Sequence, residues 1–143
     1  MQALLIDPAN RTITTAELPD TGDKLPAIYK HLQCDTFDAV TLPNGDALYV
    51  DDEGLLKPLQ HFFAVRGMPE PFVGRGLVVG TDNRGRSVTP AITQQELSGH
   101  VKFIELITKQ IAIVRDATNP NGQERILPLN HILQTLATEA DEC

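Results

Sequence analysis

GRGLVVGTDNRGR, residues 74–86, carries four of the ten glycines of this chain and three of its arginines. Two readings compete for it. A dinucleotide-binding loop needs Gly74, Gly76 and Gly80 to lie between a strand and a helix whose first N–H groups face a pyrophosphate. Here Leu77, Val78 and Val79 stand between the glycines and form a strand themselves. Asn83-Arg84-Gly85-Arg86 then follows as a tight turn, so no helix start is available to receive a phosphate. The stretch reads as a strand and a turn. Gly74 and Gly76 permit a sharp entry, and Gly80 marks a bulge or a close backbone contact.

Working outward, the same kind of punctuation recurs. ALLIDP (3–8) and the alternating TITTAEL (12–18) predict an N-terminal hairpin. FDAVTLP and ALYVD flank Asn44-Gly45-Asp46, and Asn-Gly accepts positive φ at both central turn positions. HFFAV (61–65) is strand-like, and GMPEPFVGR connects it to the opening stretch. HVKFIELI sets Val101, Phe103 and Glu105 against Lys102, Ile104 and Leu106, which predicts a strand covered in part on both faces. IAIVRD and RILPL flank the turn-rich ATNPNGQE.

Helices are fewer. Leu25, Ile28, Tyr29 and Leu32 fall at i, i+3, i+4 and i+7, with Asp23 as cap and Pro26 in the first turn. Thr93 to Glu96 has capping-box spacing, and Gly99 limits that helix to a turn or two. Asn130 is expected to cap a final helix with Ile132, Leu133, Leu136, Ala137 and Ala140 as its apolar stripe. Seven or eight short strands and two principal helices, without regular alternation, predict an α+β fold: a mainly antiparallel sheet with the helices packed against one face. Residues 1–105 form its main body, and 106–143 add a hairpin and helix to the same globular unit.

At 143 residues the chain has the length of one domain, and 41% hydrophobic residues are enough for a packed core. The net charge of −7, the lack of Trp and of any Lys/Arg run, and 5% aromatics argue against direct nucleic-acid binding. No apolar run approaches the ~20 residues of a membrane span, and MQALLIDPAN has no basic leader, so a cytoplasmic location is expected. Cys34 and Cys143 belong to no CxxC pair; Cys34 reads as a small buried apolar residue.

Few residues offer chemistry. Arg66, Arg75, Arg84 and Arg86 put four cations into about twenty residues of an acidic chain, and with Gly76 and Asp82 they form the candidate anion site. A solvated sheet edge explains them equally well. Asp51, Asp52 and Glu53 are the densest carboxylate cluster, the place for a hard cation if there is one. They lack EF-hand spacing, and with Gly54 they read as a hairpin-exit turn, so no metal is expected. His31, His61, His100 and His131 form no metal-ligand pair. Ser87 and Ser98, the only serines, lie outside any nucleophile elbow. No cofactor motif is present.

The ordered set ALLIDP, TIT, IYKHLQCDTFD, LPNGDALYVDDEGLL and GRGLVVGTD resembles a domain-of-unknown-function family carried by phages, plasmids and other bacterial mobile elements. The resemblance covers about residues 3–105. It brings no catalytic or ligand residues, and it implies an accessory gene in a bacterial cytoplasm. The expectation is a non-enzymatic accessory protein that binds a host protein or a small ligand. One alternative is a sponge for an anionic, nucleotide-like ligand held by the arginines. A second is an acidic DNA mimic, motivated by the carboxylates from Asp35 to Glu53. The final apolar helix leaves room for a homo-oligomer.

Overall fold

The computed structural model describes residues 1–52, 61–119 and 122–142, with residues 141 and 142 described by backbone alone. Glu53 and Gly54, residues 120–121 and Cys143 lie outside the described residues. The N-terminal hairpin pairs β1 (Gln2–Asp7) with β2 (Thr12–Glu17) from Gln2↔Glu17 to Asp7↔Thr12. Asp7 shapes its turn: the carboxylate accepts hydrogen bonds from the Asn10 amide N–H at 3.3 Å and from Asn10 Nδ2 at 2.8 Å.

The hairpin of β3 (Phe37–Thr41) and β4 (Ala47–Asp51) closes differently from the expected two-residue Asn-Gly turn. Gly45 N–H donates to Leu42 O at 2.9 Å, and only Gly45, at φ 95°, takes positive φ. Pro43 and Asn44 occupy the two central positions, and Gly45 supplies the left-handed step before Asp46, whose O accepts from Leu42 N–H. The turn between β7 (Gly76–Thr81) and β8 (Ser87–Val88) repeats this shape on Asp82-Asn83-Arg84-Gly85, with Gly85 at φ 76°. GLVVGT is thus a strand followed by a tight turn, as its glycines imply.

The chain is α+β, mostly antiparallel sheet with a few helices. The strands divide into two sheets, where one was expected. The first runs β2-β1-β7-β4-β3, with β8 paired to β7. The second runs β11-β10-β9-β5-β6, where β5 is His61–Val65, β6 Phe72–Val73, β9 Val101–Leu106, β10 Ile111–Asp116 and β11 Arg125–Pro128. The central strands β1, β7, β5 and β9 bury residues on both of their alternating faces. Val78, Leu48, Ile6, Phe63, Val65, Val101 and Phe103 form one cluster from the facing sides of the two sheets. Gly76 is needed there, because a Cβ would come within 2.5 Å of Phe63 Cζ. At Gly80 the obstacle is backbone, the Thr89 carbonyl oxygen 2.4 Å from a built Cβ. That is the close backbone contact expected at this position.

The other faces hold two separate clusters. Leu77 and Val79 lie with Ala3, Ala16, Cys34 and the α1 (Leu25–Leu32) residues Ile28 and Leu32. Phe62, Ala64, Ile104, Ala112 and Val114 lie with Ile132 and Leu136 of α3 (Leu129–Glu142). The helix buried sets therefore fall on different sheets, not on one face of a single sheet. Leu133 and Ala137, expected in the α3 stripe, are exposed. Helix starts also shift by a residue: Asp23 Oδ1 accepts from Leu25 N–H while Lys24 is the cap, and α3 begins at Leu129, ahead of Asn130. The short α2 (Gln94–Ser98) has the full capping box of Thr93 and Glu96. Among the described residues no helix is long and apolar enough to cross a membrane.

Candidate functional site

The four predicted arginines are separated by the fold. Arg75 precedes β7 and Arg84 and Arg86 follow it, so a strand of about 17 Å lies between them. Arg75 is engaged at its own end: Nη2 lies 3.3 Å from the buried Asp7 Oδ2, and Nη1 donates to His31 O at 3.1 Å. It ties the first hairpin turn to the end of α1. Arg86 Nε donates to Asp82 Oδ2 at 2.8 Å, and Asp82 Oδ1 accepts the Arg84 and Arg86 backbone N–H groups. Those bonds, the Arg86 N–H first, outweigh the opposing desolvation and hold the Asp82 carboxyl below its usual range. Asp82 is a turn organiser, and Gly76 faces Phe63. Arg66 lies on the other sheet, just past β5.

The carboxylate cluster is likewise divided. Asp51 ends β4, Asp52 accepts a short hydrogen bond from Thr36 Oγ1, and Glu53 is outside the described residues. Among the described residues no group of three or more His, Cys, Asp or Glu is placed to hold a metal ion.

What the fold does assemble is a hollow of about 610 Å³ on the α3 side of the second sheet. Strand register explains how. Phe62, Ile104 and Val114 are cross-strand neighbours, and they form the apolar row beneath Ile132. One row further along, Ala64, Lys102 and Asp116 are neighbours. In the next, Arg66 N–H donates to His100 O at 2.8 Å. The sheet face thus changes from apolar to polar along the strands. Alternation puts Arg66, His100 and Lys102 on the same side as Ala64 and Ile104.

Helix α3 follows the same gradient. Ile132 and Leu136 are buried, and Glu139, one turn on, lines the hollow with Lys102, Arg66, Arg125 and Asp116. Arg125 Nη2 binds Asp116 Oδ1 at 3.0 Å. Among the described residues the Arg66 and Lys102 side chains have no hydrogen-bond or ion-pair partner, so two uncommitted cations border the space. With three cations against two carboxylates, the lining is net positive in a chain of net charge −7. The small Ala64 side chain, between Arg66 and the apolar row, leaves room for both cations to turn inward.

Behind this site a buried arginine pairs with two solvent-facing carboxylates. Arg115 is 7% exposed and reaches Glu124 at 2.7 Å and Glu105 at 3.3 Å. Burial alone would lower its proton affinity, but the hydrogen bonds and charges of Glu124 and Glu105 outweigh that and raise it. The pair Arg115–Glu124 fixes the chain next to Arg125. Of the predicted site residues only Arg66 lines this hollow. Lys102, Asp116 and Arg125 were not among the predicted site residues, and His100 was weighed only as a metal ligand, although the alternations Ala64-x-Arg66 and His100-x-Lys102 mark a polar strand end.

A model of the domain-of-unknown-function family DUF3846 matches residues 1–101. The chain is also similar to an uncharacterised protein, y4iR, of Sinorhizobium fredii (strain NBRC 101917 / NGR234). The two are 26% identical over 120 residues, covering 84% of this chain and 74% of that protein. No solved structure matches the chain.

Proposed function

The chain belongs to the DUF3846 family of domains of unknown function, and from the site it carries we propose that it is a non-catalytic binding protein for a small anionic ligand. The observation that carries this reading is the pair of uncommitted cations, Arg66 and Lys102, on a hollow of about 610 Å³. That volume lies in the range of ligand sites. A guanidinium and an ammonium side by side favour a carboxylate or phosphate, with Arg able to donate two parallel hydrogen bonds. Asp116 and Glu139 restrict the place the anion can take. The resemblance to phage and plasmid proteins supports a setting in a bacterial cytoplasm, as an accessory gene product of a mobile element. In this reading α1 and α3 are the two principal helices laid on the sheets, and α3 walls the ligand.

The test is a thermal-shift and calorimetric titration of the full chain with inorganic phosphate, carboxylates and nucleotides. A ligand at a hundred times its Kd stabilises the folded state by about 2.7 kcal/mol, and the melting temperature should rise by several degrees. Arg66→Glu and Lys102→Glu should each abolish that rise without lowering the ligand-free melting temperature. If no anion raises it, or if the charge reversals leave the rise intact, the proposal is wrong.

A further inference from the structure

We propose that the ligand of this hollow is a short aliphatic acid or alkyl phosphate, its head at Arg66 and Lys102 and its tail under α3. The inference rests on the anion-binding reading above and goes on to choose the ligand class. Among the described residues no Phe, Tyr or Trp lines the hollow. A nucleobase would find no ring to stack on, and stacking on an aromatic side chain contributes roughly 1–3 kcal/mol per base. What adjoins the cations instead is a narrower cavity of about 120 Å³, contiguous with the hollow through Lys102, Arg125 and Leu136.

Its apolar wall is Ile104, Val114, Leu127, Ile132 and Leu136, and the polar residues that also line it are Lys102, Arg125, Glu139, His131 and Thr135. The Thr135 hydroxyl is already used, donating to His131 O at 2.9 Å. Between those polar residues the wall is aliphatic, so methylene groups gain burial against Ile104, Val114, Leu127 and Ile132, while a polar tail laid on these side chains would leave hydrogen bonds unmade. At ~30 Å³ for each water-sized group, the cavity takes about four methylene-sized units. The arrangement therefore measures tail length. A charged head and an apolar tail are both accommodated only when the tail is short.

The experiment is a calorimetric series on the full chain, from acetate to octanoate, with inorganic phosphate and adenosine monophosphate alongside. Affinity should rise about fourfold per added methylene, for about four of them, and then level off. Adenosine monophosphate should bind no tighter than inorganic phosphate. Thr135→Phe, which fills the cavity from its half-buried rim, should flatten the chain-length slope while acetate binding stays unchanged. If small anions bind with no dependence on chain length, or the nucleotide binds best, the tail assignment falls and the anion site stands. If none of these anions binds, inorganic phosphate included, both fall together.

Discussion

Asp46 is 3% exposed and sits at the end of the β3–β4 turn, yet its side chain works on a segment far along the chain. Oδ1 accepts the Ala91 N–H at 3.0 Å, and Oδ2 accepts the Ile92 N–H at 3.0 Å and Asn44 Nδ2 at 2.8 Å. The carboxylate thereby holds the approach to α2, one residue ahead of its Thr93 cap. Consider Asp46→Ala. Hydrogen bonds to a charged group contribute about 1.5–3 kcal/mol each. Asn44 is exposed and can turn to water, so its bond counts for little. Ala91 is exposed too, and water partly replaces its lost acceptor. Ile92 is half-buried and packs against the central cluster, so its N–H keeps most of the desolvation cost. The sum is roughly 3 kcal/mol. Asp46→Asn keeps the shape but offers one acceptor and an NH₂ that confronts the second N–H, so it should recover less than half of the loss. Urea unfolding of the three proteins, compared at equal slope, measures this directly. A loss below about 1 kcal/mol for the Ala variant, or full stability of the Asn variant, would refute the assignment of Asp46 as the tether.

Gly76→Ala should cost about 2–3 kcal/mol, because the new methyl meets Phe63 and Leu48 inside a cluster with no slack; pairing it with Phe63→Leu should restore part of the loss in the same urea assay. Asp82 has its proton affinity lowered in the folded chain, so its contribution is present above the ordinary value of 3.8 and is lost only as pH falls through its lower folded value. An NMR titration of the Asp82 carboxyl should find its midpoint below 3.8, and a midpoint at or above the ordinary value would contradict the hydrogen bonds drawn to Arg84 and Arg86.

Local chemistry made the hairpins legible. Gly45, Gly85, Asp7 and the alternation of TITTAE each announce a turn or a strand within a few residues, and Thr93 with Glu96 announces α2. The division into two sheets was not legible, because it depends on β5 pairing with β9 and β1 with β7, partners that no local pattern names. The separation of the four arginines was illegible for the same reason. Closeness in sequence put Arg75 beside Arg84, but a six-residue strand carries them apart. Lys102 and Arg125, distant in sequence, come together only through the β9–β10–β11 register. The α1 cap slipped by a residue because the Asp23 carboxylate reaches the Leu25 N–H from one position ahead of Lys24.

The position of β7 between β1 and β4 has a consequence for how the chain acquires its structure. The first hairpin can close as soon as it is made, but Leu4 and Ile6 gain their partner strand only when residues 76–78 arrive. The second sheet waits longer, since β9 is its centre and β11 its last member. A topology so rich in non-local pairings places this domain among slow folders. During synthesis at ~5–20 residues per second, the apolar side of the early hairpin stays uncovered for several seconds, open to chaperones before its own sheet can claim it.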